Sequence, residues 1–301
     1  MGLWIGTELT IGGALAIAKR HKLSDFFVGL VILSIGTDLP EIAVAIDAGI
    51  KGSLGTDASD VVIGSALGSV IGQIGLVLGF TGLISYLTMP NRFIYRHGAM
   101  LLGSTVLLYL VAWDGHISRT EGLILITLYI VYVFSLLKGE KTTQETPGTL
   151  AHGGTRSWIL LVLGLSVVIG SSELTVSSVF NLAVAFDASE LVISVLVIGI
   201  GTSLPELSIS ISAIIKKKTH LSVGNIIGSN ILDTLVPIGI AAVISPLRFN
   251  RGLLFFDLPY IFALTIVVLV FFVRTRGLQK SEAALILAFY GLYVIIKLHQ
   301  W

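Results

Sequence analysis

The sequence contains no cysteine, which excludes disulfides and thiolate metal sites and leaves the redox compartment unread. Charge is scarce as well. Only 12% of the 301 residues are Asp, Glu, Lys or Arg, against roughly a quarter in a soluble domain. Concentrated positive charge is missing, the one run being Lys216–Lys218, so a nucleic-acid-binding surface is not expected. The chain starts directly in an apolar segment without a basic stretch ahead of it, so no cleavable signal peptide is expected. The six histidines (21, 97, 116, 152, 220, 299) fall in loops or near segment ends without metal spacing, and surface or interfacial places are expected for them.

What is present is apolar sequence. Hydrophobic residues make up 54% of the chain and the mean hydropathy is +0.94. Apolar segments at about 3–18, 26–50, 60–86, 93–113 and 120–137 are followed, after a polar stretch, by others at about 158–182, 189–215, 221–245, 253–273 and 281–298. Most reach the ~20 residues that a bilayer helix needs. The expected fold is an all-α integral membrane protein of about ten transmembrane helices. The polar, Gly/Thr-rich stretch 138–157 reads as a linker between residues 1–137 and 158–301. Trp4, Trp113, Trp158 and Trp301 lie near segment ends, as interfacial anchors do.

Basic residues in the loops predict the orientation. Lys19, Arg20, Lys22, Arg92, Arg96, Lys138, Lys141, Arg156, Lys216, Lys217, Lys218, Arg274, Arg276 and Lys280 fall on one side. Lys51, Arg119, Arg248, Arg251 and Lys297 fall on the other. The first side is expected to be cytoplasmic, with both termini outside and the linker inside.

The halves repeat one another. GTDLPE at 36–41 matches GTSLPE at 201–206, Glu8-Leu9-Thr10 matches Glu173-Leu174-Thr175, and GSALGS at 64–69 matches GNIIGS at 224–229. Five segments per copy is an odd number, so the second copy must enter the membrane from the opposite side. Such inverted repeats typify secondary transporters with a site near the midplane. The first segment lacks roughly the outer half that its partner from Trp158 has, which predicts either a short helix or a start upstream of Met1.

Five acids fall well inside the apolar segments: Asp38, Glu41, Asp47, Glu206 and Asp233. No Lys or Arg is expected at their depth, so a mobile cation or a proton must offset them. Pro40 and Pro205 remove an N–H and should break their helices, which at membrane depth is tolerated where backbone lines a cavity or is buried in protein. The carbonyls of Ser34 and Gly199, the hydroxyls of Thr37 and Thr202 and the carboxylates of Glu41 and Glu206 then form a hard-oxygen set suited to Ca²⁺ or Na⁺. Ser65, Ser69 and Gln73 share one helix face, as do Asn225, Ser229 and Asp233. Gly64, Gly68 and Gly72 beside them read as a helix-packing stripe. Asp47 is expected at an aqueous mouth near Lys51, and Glu8 and Glu173 are left without a role.

These motifs resemble the sodium/calcium exchanger family of the cation/Ca²⁺ exchanger superfamily, in its prokaryotic form with two α-repeats, here about 26–79 and 191–239. The resemblance implies ten helices and electrogenic exchange of Na⁺ for Ca²⁺ by alternating access, with no enzymatic activity and no cofactor. It implies Ca²⁺ on Glu41 and Glu206, and Na⁺ at Thr37, Ser69, Thr202, Ser203, Ser229 and Asp233. The first copy departs from the pattern: Asp38 stands where Ser is usual, Ser65 where Asn is usual, and Gln73 where Asn or Asp is usual. Two carboxylates one turn apart cannot both ionise cheaply without a cation. Asp38 therefore leaves K⁺ co-transport, or Ca²⁺/H⁺ exchange, beside Na⁺-driven exchange. A cation channel is disfavoured, since channels place subunits symmetrically about a pore. An intramembrane protease is disfavoured because no His is expected at depth beside a Ser. The partners implied are the lipid bilayer and inorganic cations; the oligomeric state stays open, a monomer being compatible.

Overall fold

A computed structural model of the chain describes residues 1–139, 154–185 and 203–299. Its helices are α1 (Gly2–His21), α2 (Asp25–Thr37), α3 (Leu39–Ser53), α4 (Ser59–Ile84), α5 (Asn91–Val111), α6 (Arg119–Gly139), α7 (Gly154–Ala185), α8 (Leu204–Ile215), α9 (Thr219–Ile244), α10 (Leu253–Thr275) and α11 (Lys280–His299). Among the described residues six helices are each long and apolar enough to cross a bilayer: α4, α5, α6, α7, α9 and α10. The pair α2 and α3, bent by 45° at Asp38, makes a seventh span. With α1, α8 and α11, described helix stands at each of the ten expected places.

Four short strands join the two halves. Strands β1 (Leu87–Thr88) and β4 (Gly277–Leu278) pair antiparallel, as do β2 (His116–Ile117) and β3 (Leu247–Arg248). β1 follows α4 and β4 joins α10 to α11; β3 follows α9 and β2 joins α5 to α6. Exchanging the two halves therefore turns one strand pair into the other, and the pairs sit at opposite ends of α5. That is the relation an inverted repeat requires.

The two helices that carry the Ser/Asn/Asp motifs form the centre. For both α4 and α9, 78% of the spanning window is buried inside the protein, whereas α6 and α7 turn most of theirs outward. Leu, Ile and Val side chains pack around α4 and α9, and the outer helices leave residues such as Val131, Phe134, Val162 and Leu285 exposed to the surroundings. In a bilayer that apolar exterior is solvated by lipid.

Small residues set the closest helix approach. A Cβ on Gly228 of α9 would lie 2.1 Å from the carbonyl oxygen of Leu30 in α2, and one on Gly224 would lie 2.4 Å from that of Phe26. Backbone thus touches backbone, as small residues permit at membrane helix crossings. Gly64, by contrast, has open space beside it, so it is not the packing residue the sequence suggests. Trp4, Trp113 and Trp158 are exposed near helix ends as expected, while Trp301 lies outside the described residues.

Candidate functional site

The broken helix comes first. Asp38 separates α2 from α3 with φ −88° and ψ 8°, and Ser203 holds the same place ahead of α8 with φ −101° and ψ 7°. In each copy Pro follows within the first turn, where its missing N–H is not needed. The first helical bond is the same in both, Ile42 N–H to Asp38 O at 3.1 Å and Leu207 N–H to Ser203 O at 2.9 Å. Neither Asp38 nor Ser203 uses its side chain to cap its helix, so both side chains are left for other partners. The helix N-termini place positive dipole ends beside Glu41 and Glu206, which favours their carboxylates.

Two π-helical turns shape the surroundings. Val28–Leu33 forms one in α2 just before Ser34, and Gln73–Val77 forms another in α4. Each inserts an extra residue per turn and so re-aims the side chains that follow.

The expected site residues that are described converge in the protein interior. Ser34, Thr37, Asp38, Ser69, Gln73, Glu206, Ser229 and Asp233 have no exposed surface, Ser203 has 1% and Glu41 has 6%. Thr37 Oγ1 lies 3.4 Å from Ser229 Oγ and donates to Asp38 Oδ1 at 3.3 Å. Gln73 Nε2 donates to Asp233 Oδ2 at 3.0 Å and to Ser69 Oγ at 3.2 Å. Ser69 faces Glu41 and Asp233, and Thr37 and Asp38 approach Glu206. Each of these links except those within 37–38 and 41–73 crosses from one half of the chain to the other. Gly199 and Thr202 lie outside the described residues.

The electrostatics are one-sided. Asp38, Glu41, Glu206 and Asp233 lie close enough to repel one another. Among the described residues no salt bridge reaches any of them. Asp38 Oδ2, Glu41 Oε2, both oxygens of Glu206 and Asp233 Oδ1 are buried without a hydrogen-bond partner, as are Ser203 Oγ and Gln73 Oε1. Buried polar atoms are nearly always satisfied, so this group of acceptors points to a positively charged occupant. Among the described residues no three acids or histidines gather into a metal cluster by themselves. Hydroxyl oxygens of Thr37, Ser69 and Ser229 lie between the carboxylates.

A cavity of about 380 Å³ leads to the site. Pro40, Glu41, Val44 and Ser65 line one wall, and Ser172, Glu173, Val176 and Pro205 the other. It lies toward the end of the bundle where α3 stops at Ser53 and α4 begins at Ser59. At the opposite end α2 and α9 are closed by the glycine contacts described above. Lys218 there pairs with Asp25 at 2.9 Å, and Lys216 ties the end of α8 to Glu8 of α1 at 2.6 Å.

Other expected residues fall as follows. The carbonyl of Ser34 accepts the Asp38 N–H at 3.0 Å and lies 3.2 Å from the Thr37 hydroxyl, whose one hydrogen also lies within reach of Asp38 Oδ1. The carbonyl deprived of its i→i−4 donor by Pro40 is that of Gly36. The Ser34 hydroxyl donates to Leu30 O at 2.6 Å. Asp47 is an exposed acid that pairs with Lys51 at 2.6 Å, apart from the buried four and next to Lys51 as expected. His97 is 2% exposed and bonds Tyr132 at 2.5 Å, contrary to a surface place. Tyr129 escaped the sequence reading: its hydroxyl is buried and unpartnered, and its position mid-way along α6, away from the interfaces where tyrosine is common, was the available signal.

A match to the family model described as sodium/calcium exchanger protein covers residues 1–138 and 156–299. The chain belongs to the sodium/calcium exchanger family. It is 32% identical over 292 residues to the putative antiporter CaxA of Alkalimonas amylolytica, covering 93% of this chain and 90% of that one. It is 27% identical over 334 residues to the sodium/calcium exchanger MaX1 of Methanosarcina acetivorans, covering 97% and 94%. A solved structure of the sodium-calcium exchanger NCX_Mj soaked with Na⁺ and Sr²⁺ superposes with a TM-score of 0.82 at 26% identity, covering 98% of this chain and 94% of that one. The all-α, ten-span inverted-repeat architecture is thereby established, and with it a multi-pass membrane exchanger that handles inorganic cations.

Proposed function

We propose that this sodium/calcium exchanger family member is an antiporter that moves Ca²⁺ across the membrane against Na⁺. The observation that carries the proposal is the set of buried, unpartnered carboxylate oxygens on Asp38, Glu41, Glu206 and Asp233, with no salt bridge to any of them among the described residues. Hard, anionic oxygens around a small space suit Ca²⁺ and Na⁺ and make poor ligands for soft metals.

The mechanism is competition for one charge set. Ca²⁺ takes the carboxylates of Glu41 and Glu206. Na⁺ ions take the hydroxyl and carboxylate oxygens around them: Thr37, Thr202 and Ser203, Ser69, Ser229 and Asp233. Because both substrates draw on the same acids, binding one displaces the other. An empty site is a group of mutually repelling buried acids and is too costly to carry across. A loaded site is neutralised, and its access switches from one end of the bundle to the other.

Access in the present conformation is through the cavity beside Glu41. By the distribution of basic residues this end faces outside, both termini lie outside and residues 138–157 form a cytoplasmic linker between two five-helix units, 1–137 and 158–301. The protein reconstituted in vesicles is expected to take up ⁴⁵Ca²⁺ when Na⁺ is loaded inside and absent outside. Uptake that ignores a Na⁺ gradient and follows a pH gradient would replace this reading with Ca²⁺/H⁺ exchange, the alternative that the additional acid at Asp38 favours. Uptake indifferent to every gradient would leave a channel.

A further inference from the structure

Among the described site residues, Gln73 brings the donor hydrogens of a neutral amide to a carboxylate of the other half of the chain. Its Nε2 bridges Asp233 Oδ2 at 3.0 Å and Ser69 Oγ at 3.2 Å. One oxygen belongs to the second half of the chain and the other to the first, and both are fully buried. A small monovalent cation seated between those oxygens would make the same two contacts while carrying a full charge. In this orientation the two N–H groups meet a carboxylate oxygen and a hydroxyl oxygen, both able to accept. Its other atom, Oε1, is buried without a partner.

The side chain is held in this place. Gln73 opens the π-helical turn of α4. Two residues on, Gly75 lies so close to Tyr290 of α11 that a Cβ would meet it at 2.7 Å. The backbone of the turn is thus packed directly against α11, and the two hydrogen bonds hold the amide.

We propose that the Gln73 carboxamide is a built-in replacement for one monovalent cation, so that this protein moves one fewer monovalent cation per Ca²⁺ than it would with that place vacant. The amide supplies the donors that Asp233 and Ser69 require and is itself never released. It adds no charge to the loaded site, so it also lowers the net charge moved per cycle. This inference rests on the antiport reading for its transport consequence; its binding consequence stands independently.

The test compares wild type with Gln73→Ala, using ²²Na⁺ and ⁴⁵Ca²⁺ fluxes measured in the same vesicles. The Na⁺:Ca²⁺ ratio is expected to rise by one in the variant, with one more charge moved per Ca²⁺ in the accompanying current. An unchanged ratio overturns the proposal. Where Gln73→Ala does not transport, equilibrium binding of ²²Na⁺ to the purified protein decides instead. One additional Na⁺ per chain in the variant supports the proposal, and equal occupancy, including none in either protein, overturns it. If the wild type itself shows no Na⁺-coupled Ca²⁺ movement, the proposed function fails, and the same binding measurement still decides the role of Gln73.

Discussion

Thr37 and Ser229 stand 192 residues apart in the sequence and bring their hydroxyl oxygens to 3.4 Å of each other. Thr37 belongs to the broken helix of the first half and Ser229 to the central helix of the second. The site is therefore made where the halves meet, and neither half owns a complete set of donors. Asp233 depends on Gln73 in the same way, and Glu206 is approached by Thr37 and Asp38. A movement of one half against the other changes every one of these distances at once, which is what alternating access from a shared site requires.

Glu41→Gln and Glu206→Gln each replace an ionised ligand by a neutral one of the same shape. A charge-assisted bond contributes about 1.5–3 kcal/mol, so Ca²⁺ affinity should fall roughly 10- to 150-fold for each. The check is ⁴⁵Ca²⁺ uptake as a function of Ca²⁺ concentration in vesicles. Wild-type flux in either variant removes that residue from the site.

Much of this was legible in the sequence because two signals were doubled. The hexamers at 36–41 and 201–206 announced a broken helix in each half, and the structure gives Asp38 and Ser203 nearly the same backbone angles. The acids at Asp38, Glu41, Glu206 and Asp233 stood out against apolar surroundings, and all four are buried. Asp47 stood out equally, and its place apart from them was legible as well, because Lys51 lies one helical turn away and the exposed pair marks where the helix leaves the interior. The two π-helical turns were invisible, since nothing in residue type marks an extra residue in a helical turn. For the same reason the direction of Gln73 toward Asp233, rather than along its own helix, required coordinates.

Glycine positions give a paired test of packing. Gly228→Ala drives a methyl group to 2.1 Å from the Leu30 carbonyl, backbone that cannot move aside alone. Overpacking of this kind costs about 1–3 kcal/mol or more. Gly64→Ala meets open space and has no such conflict. Thermal unfolding midpoints of the detergent-purified proteins should drop clearly for Gly228→Ala and stay near wild type for Gly64→Ala. Equal midpoints would show that α2 and α9 do not approach as described.

Outside the spans, Asp57 offers a pH test. The hydroxyl and backbone N–H of Ser59 both donate to its carboxyl, the N–H at 3.0 Å, and hold it below the ordinary carboxylate range. A carboxyl held low contributes to loop order at every pH above its unfolded value, ~3.9, and loses that contribution only as pH falls through the lower folded value. Ser59→Ala removes the hydroxyl and keeps the N–H, so the Asp57 titration should move part of the way up. It also leaves the Arg248 N–H of β3 without the oxygen it donates to at 3.0 Å. Carboxyl ¹³C shifts of labelled aspartate across an acid titration read the first effect. An unmoved midpoint would mean that the backbone N–H and the Arg248 guanidinium hold the group without the hydroxyl.

Asp38 is where the two hexamers differ, GTDLPE against GTSLPE, and the difference gives a test of selectivity. Its carboxyl is fully buried, accepts from Thr37 and leaves Oδ2 without a partner beside Glu206. Ser203, its counterpart, offers only an unpartnered hydroxyl. Asp38→Ser makes the two half-sites alike and removes one negative charge from a group that must be neutralised before it crosses. The loaded site then needs one positive charge less. Fewer monovalent cations, or one proton less, should accompany each Ca²⁺, and any dependence on K⁺ or pH that the wild type shows should weaken. Asp38→Asn keeps the shape and loses the charge, so it separates the two contributions: if charge is what counts, both variants shift the ion dependence together. Measuring ⁴⁵Ca²⁺ exchange of the three proteins against imposed Na⁺, K⁺ and H⁺ gradients makes the comparison, and unchanged selectivity in both variants would make Asp38 a bystander to coupling.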